Sequence, residues 1–276
     1  MVLAHLAVLD ELDGGTASAP MTAPSREIRM ALSRCARVSR RWYPLAQAHL
    51  YRSIVVVNLR QCEAFVRAIE LNSDLALIPR HLVLFGGPGL MSGPSDAFNE
   101  LVNELLGRRH DLLVRVLRLC TQLERVRSTN NLDVFCTGIV DALCDLKNLS
   151  ALYFRPHILE VFGEHFSLLQ AHDILSRLPG SLEYLFVDST IVNYDSLHSV
   201  PPRIALVEYQ LSGNHEACDP TFVFEELEAD LVEGIKPIPG GHIRVLHKQD
   251  VDSALVERVV AGFAAQGVEL AAVKTA

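Results

Sequence analysis

No stretch of the sequence comes near the roughly 20 consecutive apolar residues that a bilayer-crossing helix needs. A membrane partner is therefore not expected. The opening MVLAHLAVLDELDGG has no basic lead and meets its first acid at Asp10, too soon for the apolar centre of a signal peptide. Cysteine is sparse and scattered: six residues, Cys35, Cys62, Cys120, Cys136, Cys144 and Cys218, with no Cys-x-x-Cys among them. That argues against a disulfide-stapled secreted frame and points to reduced, mostly buried thiols in a cytoplasmic or nuclear protein. Positive charge is in deficit, with 25 Lys and Arg against 33 Asp and Glu and a formal net charge of -8. Non-specific affinity for phosphate backbones needs a basic face, so no nucleic acid partner is expected of the chain as a whole. Catalytic signatures are missing too. There is no Gly-x-x-x-x-Gly-Lys-Ser/Thr loop, no Gly-x-Ser-x-Gly elbow and no His-Glu-x-x-His helix.

What the chain has is apolar content. At 276 residues and 49% hydrophobic it can bury a substantial core, and disorder is not its default. Gly14 to Ser25, GGTASAPMTAPS, carries no apolar period and has the composition of a flexible loop. From there Ile28, Leu32, Cys35, Val38 and Trp42 recur at the three-or-four spacing of one helical face. Pro44 lacks an amide donor and suits the first turn of a new helix. The spacing thus predicts a helix broken after Trp42, a short helix to about Leu50 and a strand over Ser53 to Val57.

Helix and strand patterns then alternate. Helices are expected over Gln61–Leu71, Asp96–Leu106, Leu112–Cys120, Asp133–Leu143, Phe166–Leu178, Pro220–Val232 and Ser253–Gln266, with Asp133 as a cap and Gly267 as a C-terminal glycine. Strands are expected at His81–Phe85, after Leu123, within LKNLSALYF and LPGSLEYLFV, and at Ile204–Leu211, His242–His247 and Val268–Val273. Leu149, Leu152 and Phe154 share an L-x-x-L-x-Φ spacing with Leu182, Leu185 and Val187. Such alternation predicts an α/β fold, a short parallel sheet backed by helices. The leucine signatures recur at about 22 to 38 residues, wider than the 20 to 29 of regular leucine-rich repeats, so the repeats are degenerate.

The segment VSRRWYPLAQAHLYRSIVV resembles the second half of an F-box, in the form common to fungal F-box proteins with leucine-rich-repeat-like tails. Val38, Ser39, Arg41 and Trp42 match the family's Val-Cys-x-x-Trp core with serine in place of cysteine, and Leu45, Leu50 and Tyr51 fit the part that follows. The resemblance covers roughly Ile28 to Val57, with a looser likeness of the repeat region behind it. It departs upstream, where the family's opening helix carries a Leu-Pro-x-Glu segment and then an Ile-Leu-x-His-Leu-like end, and this chain has only VLAHL at Val2 to Leu6, similar to the tail of that helix. It implies a partial F-box-like helical module over 1–57, with its loop at 14–25, followed by an irregular leucine-rich-repeat-like solenoid over 58–276. It also implies a substrate-recruiting subunit of a cullin-type ubiquitin ligase, without catalysis or cofactor. Leu32, Val38, Ser39, Arg41, Trp42 and Leu45 would bind a Skp-type adaptor, and the repeat region would bind a target protein. The alternative is a scaffold derived from an F-box protein whose incomplete module no longer binds the adaptor.

Other constellations are weak. FGGPGLMSGPS, Phe85 to Ser95, sits where a phosphate loop would, but Pro88 and Pro94 remove amide donors and the lysine is missing, so a plain connection is expected. His215 and Cys218 in GNHEACDP find no second pair to close a zinc site, and no metal is expected. Glu225-Glu226 suits a solvated helix face. The arginines of REIRMALSRCARVSRRW suggest a helix-turn-helix reader as a rival, without the glycine turn that would separate its helices.

Overall fold

The computed structural model describes residues 26–56, 59–85, 108, 110–129, 137–155, 168–189, 192, 194–211, 219–235 and 242–275. The helix expected at Asp96–Leu106, the glycine-rich loop from Gly86 onward, Asp133, His215 and Cys218 lie outside them. The chain starts with two helices, α1 (Arg26–Val38) and α2 (Tyr43–Arg52), that pack on each other. There follow β1 (Ser53–Val56), α3 (Leu59–Leu71), a 3-10 turn at Ser73–Leu77, β2 (His81–Phe85) and a helix α4 described over 110–119. Next come β3 (Arg125–Thr129), α5 (Thr137–Cys144), β4 (Ala151–Arg155), α6 (Leu168–Ser176) and β5 (Tyr184–Asp188). A second 3-10 turn at Tyr194–Ser199 leads to β6 (Leu206–Gln210), α7 (Pro220–Glu233), β7 (His242–His247), α8 (Ser253–Ala265) and β8 (Glu269–Lys274).

The strands form one eight-stranded sheet in the order β1 to β8, every pair parallel. Because side chains alternate across a strand, the register sorts the sheet into two faces. Second positions align as Ile54, Leu82, Val126, Leu152, Leu185, Val207, Ile243 and Leu270, and all are buried in the main core. Helices α3 to α8 supply the other half of that core through Phe65, Val66, Leu113, Leu117, Ile139, Leu143, Leu175, Phe224, Val259 and Phe263. The helices therefore lie on one side of the sheet. First and third positions face the opposite side.

The strand entries repeat in detail. Leu123, Leu149, Leu182 and Ile204 each donate an amide to the carbonyl three residues earlier, on Cys120, Leu146, Pro179 and Pro201, and each is buried. One residue after the first three, the carbonyls of Glu124, Ser150 and Glu183 each accept two amides from the next strand's entry. Three residues after each turn leucine or isoleucine comes the second-position core residue, Val126, Leu152, Leu185 or Val207. The pattern explains why the leucine spacing is visible in the sequence although the intervals between units are not constant.

Two local differences from the sequence reading have physical causes. The first helix ends at Val38, not after Trp42, because the Ser39 carbonyl accepts the Trp42 and Tyr43 amides at 3.1 Å each and the Ser39 hydroxyl accepts the Trp42 amide at 3.3 Å. A polar side chain that satisfies a helix-start amide competes with continued helix. Pro44 then sits in the first turn of α2, as its missing amide favours. The 3-10 turns at Ser73–Leu77 and Tyr194–Ser199 are the second difference, since such short pieces carry too little apolar periodicity to be read.

Candidate functional site

The six residues singled out in the N-terminal segment divide between a core and a surface. Leu32 is 5% exposed, and Ala46 on α2 is fully buried, so these two hold the helical pair together. Val38 is 76% exposed, Leu45 56% and Trp42 37%. Ser39 and Arg41 are exposed as well, with Ser39 shaping the turn. Met30 and Tyr43 add to the apolar surface, and Tyr43 accepts a hydrogen bond from Gln47 Nε2 at 2.6 Å. Tyr51 stacks on Phe65 of α3 with ring centroids 6.5 Å apart, which joins α2 to the helical layer. Arg34, Arg37 and Arg40 are exposed around the same unit.

The side of the sheet away from α3 to α8 carries a second, smaller core, in which Val83, Ala151, Tyr153 and Tyr184 are buried and Val55, Phe186 and Leu206 pack against them. Its first-position row reads Ser53, His81, Arg125, Ala151, Tyr184, Leu206, His242 and Glu269; its third-position row reads Val55, Val83, Arg127, Tyr153, Phe186, Glu208, Arg244 and Ala271. Tyr153 meets Tyr184 at 4.9 Å between centroids and Phe186 at 6.4 Å, an aromatic strip over β4 and β5. The Tyr184 hydroxyl donates to Glu208 Oε2 at 2.5 Å, and Arg244 donates to Glu208 Oε1 at 3.0 Å. His242 Nδ1 lies 2.5 Å from a Glu269 carboxylate oxygen.

Electrostatics on this face follow from the packing. Burial, with the Glu208 carboxylate accepting its proton's hydrogen bond, pushes the Tyr184 hydroxyl far above the ordinary tyrosine range. Burial also raises Tyr153, against the opposing pull of Arg125. At the other end His81 Nδ1 is 3.1 Å from the Ser53 hydroxyl. Burial first, then the nearby Arg125 and Arg52 guanidinium groups, pull His81 down to about 4. Protonating it would place a third cation beside two.

In the helical layer, the Tyr194 hydroxyl donates to Asp230 Oδ2 at 2.5 Å, and His198 Nε2 lies 3.6 Å from the same oxygen. This cluster ties the Tyr194–Ser199 turn to α7. Neither it nor the Glu208 cluster was legible in the sequence, because partners 24 and 36 residues apart are joined only by the fold. Among the described residues no group of three or more His, Cys, Asp or Glu could hold a metal ion, and no helix is long and apolar enough to cross a membrane.

The described residues thus define a two-layer α/β protein, with a sequential parallel sheet covered by helices on one side and an exposed apolar helix pair at its start. No protein-family model matches the chain, and no curated protein matches it.

Proposed function

We propose that the chain is a non-catalytic interaction protein that recruits a target to a cullin-type ubiquitin ligase. Its F-box-like helices would bind a Skp-type adaptor and its sheet domain, an irregular leucine-rich-repeat-like solenoid, would hold the target. The observation that carries the reading is the exposure of Val38, Trp42 and Leu45 together on the α1–α2 unit. A large aromatic and two aliphatics left uncovered on a small helical module are the composition of an interface anchor. The repeated strand entries and the pairing of each strand with its sequence neighbours support the solenoid half of the reading. Such a protein acts through effective concentration, keeping a bound target near the transferring subunit of the ligase.

Co-purification with a Skp-type adaptor tests the proposal, comparing wild type with Trp42→Ala and Leu45→Ala. Leu45 is 56% exposed, so its truncation should leave the fold intact; Trp42 is 37% exposed, and circular dichroism checks that both variants are folded. Retention of the wild type and loss in both variants is the expected result. Equal retention of folded wild type and variants sinks the assignment. A wild type that is never retained supports instead the F-box-derived scaffold without an adaptor.

A further inference from the structure

We propose that the α1–α2 surface takes an acidic protein partner, whose carboxylates meet Arg34, Arg37, Arg40 and Arg41 around a recess that receives the exposed apolar side chains. The inference rests on the reading of this helical pair as a docking surface and adds the charge of what docks there. Between Ile28 and Cys62 the sequence has seven arginines and no Asp or Glu, in a chain whose formal net charge is -8. Positive charge is thus concentrated at the β1 end of an otherwise acidic molecule. Arg34, Arg37, Arg40 and Arg41 are exposed, and none of them meets a carboxylate among the described residues.

The fold itself gains little from these cations. Arg37 lies in the last turn of α1, where the helix carbonyls favour positive charge. Arg40 and Arg41 instead lie in the turn that leads to the amide end of α2, which disfavours it. Clustered like charges also repel one another, so the free chain is destabilised by the arrangement. An acidic surface relieves both repulsions. The charges flank the apolar side chains closely, since Arg34 stands one helical turn from Val38, and Arg41 adjoins Trp42 in sequence. Rim charges that stay in water add little to affinity, because solvent screens them, but they speed encounter. Charge therefore sets how fast the complex forms, and Val38, Trp42 and Leu45 set how long it lasts.

Binding kinetics of the full chain with a Skp-type adaptor, from about 50 to about 500 mM salt, test this. The wild-type association rate should fall roughly tenfold or more over that range. Arg37→Glu, Arg40→Glu and Arg41→Glu combined should slow association roughly tenfold or more at the lower salt and remove most of the salt dependence, with dissociation within about threefold of wild type. Lys248→Glu is the control, exposed and just past β7, six strand spacings or roughly 29 Å from β1 and well beyond the screening length of about 10 Å; its rates should not change. Association indifferent to salt, a folded triple variant that associates as fast as wild type, or a loss that falls mainly on dissociation overturns this proposal and leaves the adaptor reading standing. If the triple variant does not fold, Arg→Gln at the same three positions is judged by the same comparison. A chain that binds no adaptor sinks the ligase reading, and panning a phage-displayed random dodecapeptide library on the chain then decides this one. A pool rich in Asp and Glu beside Phe, Trp or Leu, with affinity lost in both the triple variant and Trp42→Ala, supports it; a pool without acidic bias overturns it. Sedimentation with phosphatidylserine vesicles in place of adaptor and acidic peptides overturns it in favour of a membrane surface.

Discussion

Glu208 is 6% exposed, and a carboxylate so dry persists only because a hydroxyl and a guanidinium hold its two oxygens. Removing the hydroxyl by Tyr184→Phe should lower stability by about 1.5–3 kcal/mol, the range for hydrogen bonds to charged groups, measured by urea unfolding near neutral pH. Tyr184 is raised in the folded state, so its contribution is present below the unfolded tyrosine value of about 10 and is lost as pH rises past it. The wild type should therefore lose stability above about pH 10 more steeply than Tyr184→Phe. His81 works in the opposite window. Its folded value, about 4, lies below the unfolded 6.5, so its neutral form stabilises the fold above about 6.5 and that contribution fades as pH falls toward 4. Between about pH 7.5 and 4.5 the wild type should lose on the order of 2 kcal/mol more than His81→Gln. Ser128 is 2% exposed, at a core-facing position of β3, and its hydroxyl has no hydrogen-bond partner among the described residues. Ser128→Ala should accordingly stabilise the protein, by about 1 kcal/mol in the same unfolding experiment.

At the scale of elements, helices α7 and α8 approach so closely that a Cβ on Gly262 would clash with the Leu231 side chain. Alanine is the better helix former by about 1 kcal/mol, yet Leu231 would have to leave its rotamer in a packed seam. Gly262→Ala should destabilise by about 1–3 kcal/mol, and Leu231→Ala in the same chain should recover part of that loss, a coupling read by a double-mutant cycle. Much at this scale was legible. The helices α7 and α8 lie where apolar periodicity put them, and Gly267, read as a C-terminal glycine, has φ +77 after α8, where only glycine is at ease; the caps Asp219 and Asp252, which accept the amides of Thr221 and Ala254, were not read from the sequence. The break at Ser39 was not legible, because periodicity of apolar side chains carries no record of a serine hydroxyl capturing an amide. Gly262 gave no signal either. Its reason lies on the neighbouring helix.

Across the whole molecule, alternating helix and strand patterns sufficed for the parallel sheet, since neighbours in sequence pair in space throughout. The two-sided distribution of charge was not readable, because Arg125, Glu208 and Arg244 come to share one surface only after the register is fixed. Leu185 and Leu152, aligned across adjacent strands and fully buried, sit at the middle of the shared core. Leu→Ala at either should cost about 2–5 kcal/mol, whereas Ser150→Ala forfeits the hydrogen bond to the Glu124 carbonyl and should cost about 1 kcal/mol. The core runs unbroken from β1 to β8, and of the α1–α2 pair only Tyr51 packs against it, so the footprint of a partner docking on α1 and α2 should stay local. Hydrogen–deuterium exchange of the chain with and without saturating Skp-type adaptor reads this directly. Protection concentrated in residues 30–52, with β2 to β8 unchanged, is the expected result; no added protection in that span, or protection confined to the sheet, contradicts the adaptor docking proposed for the helical pair.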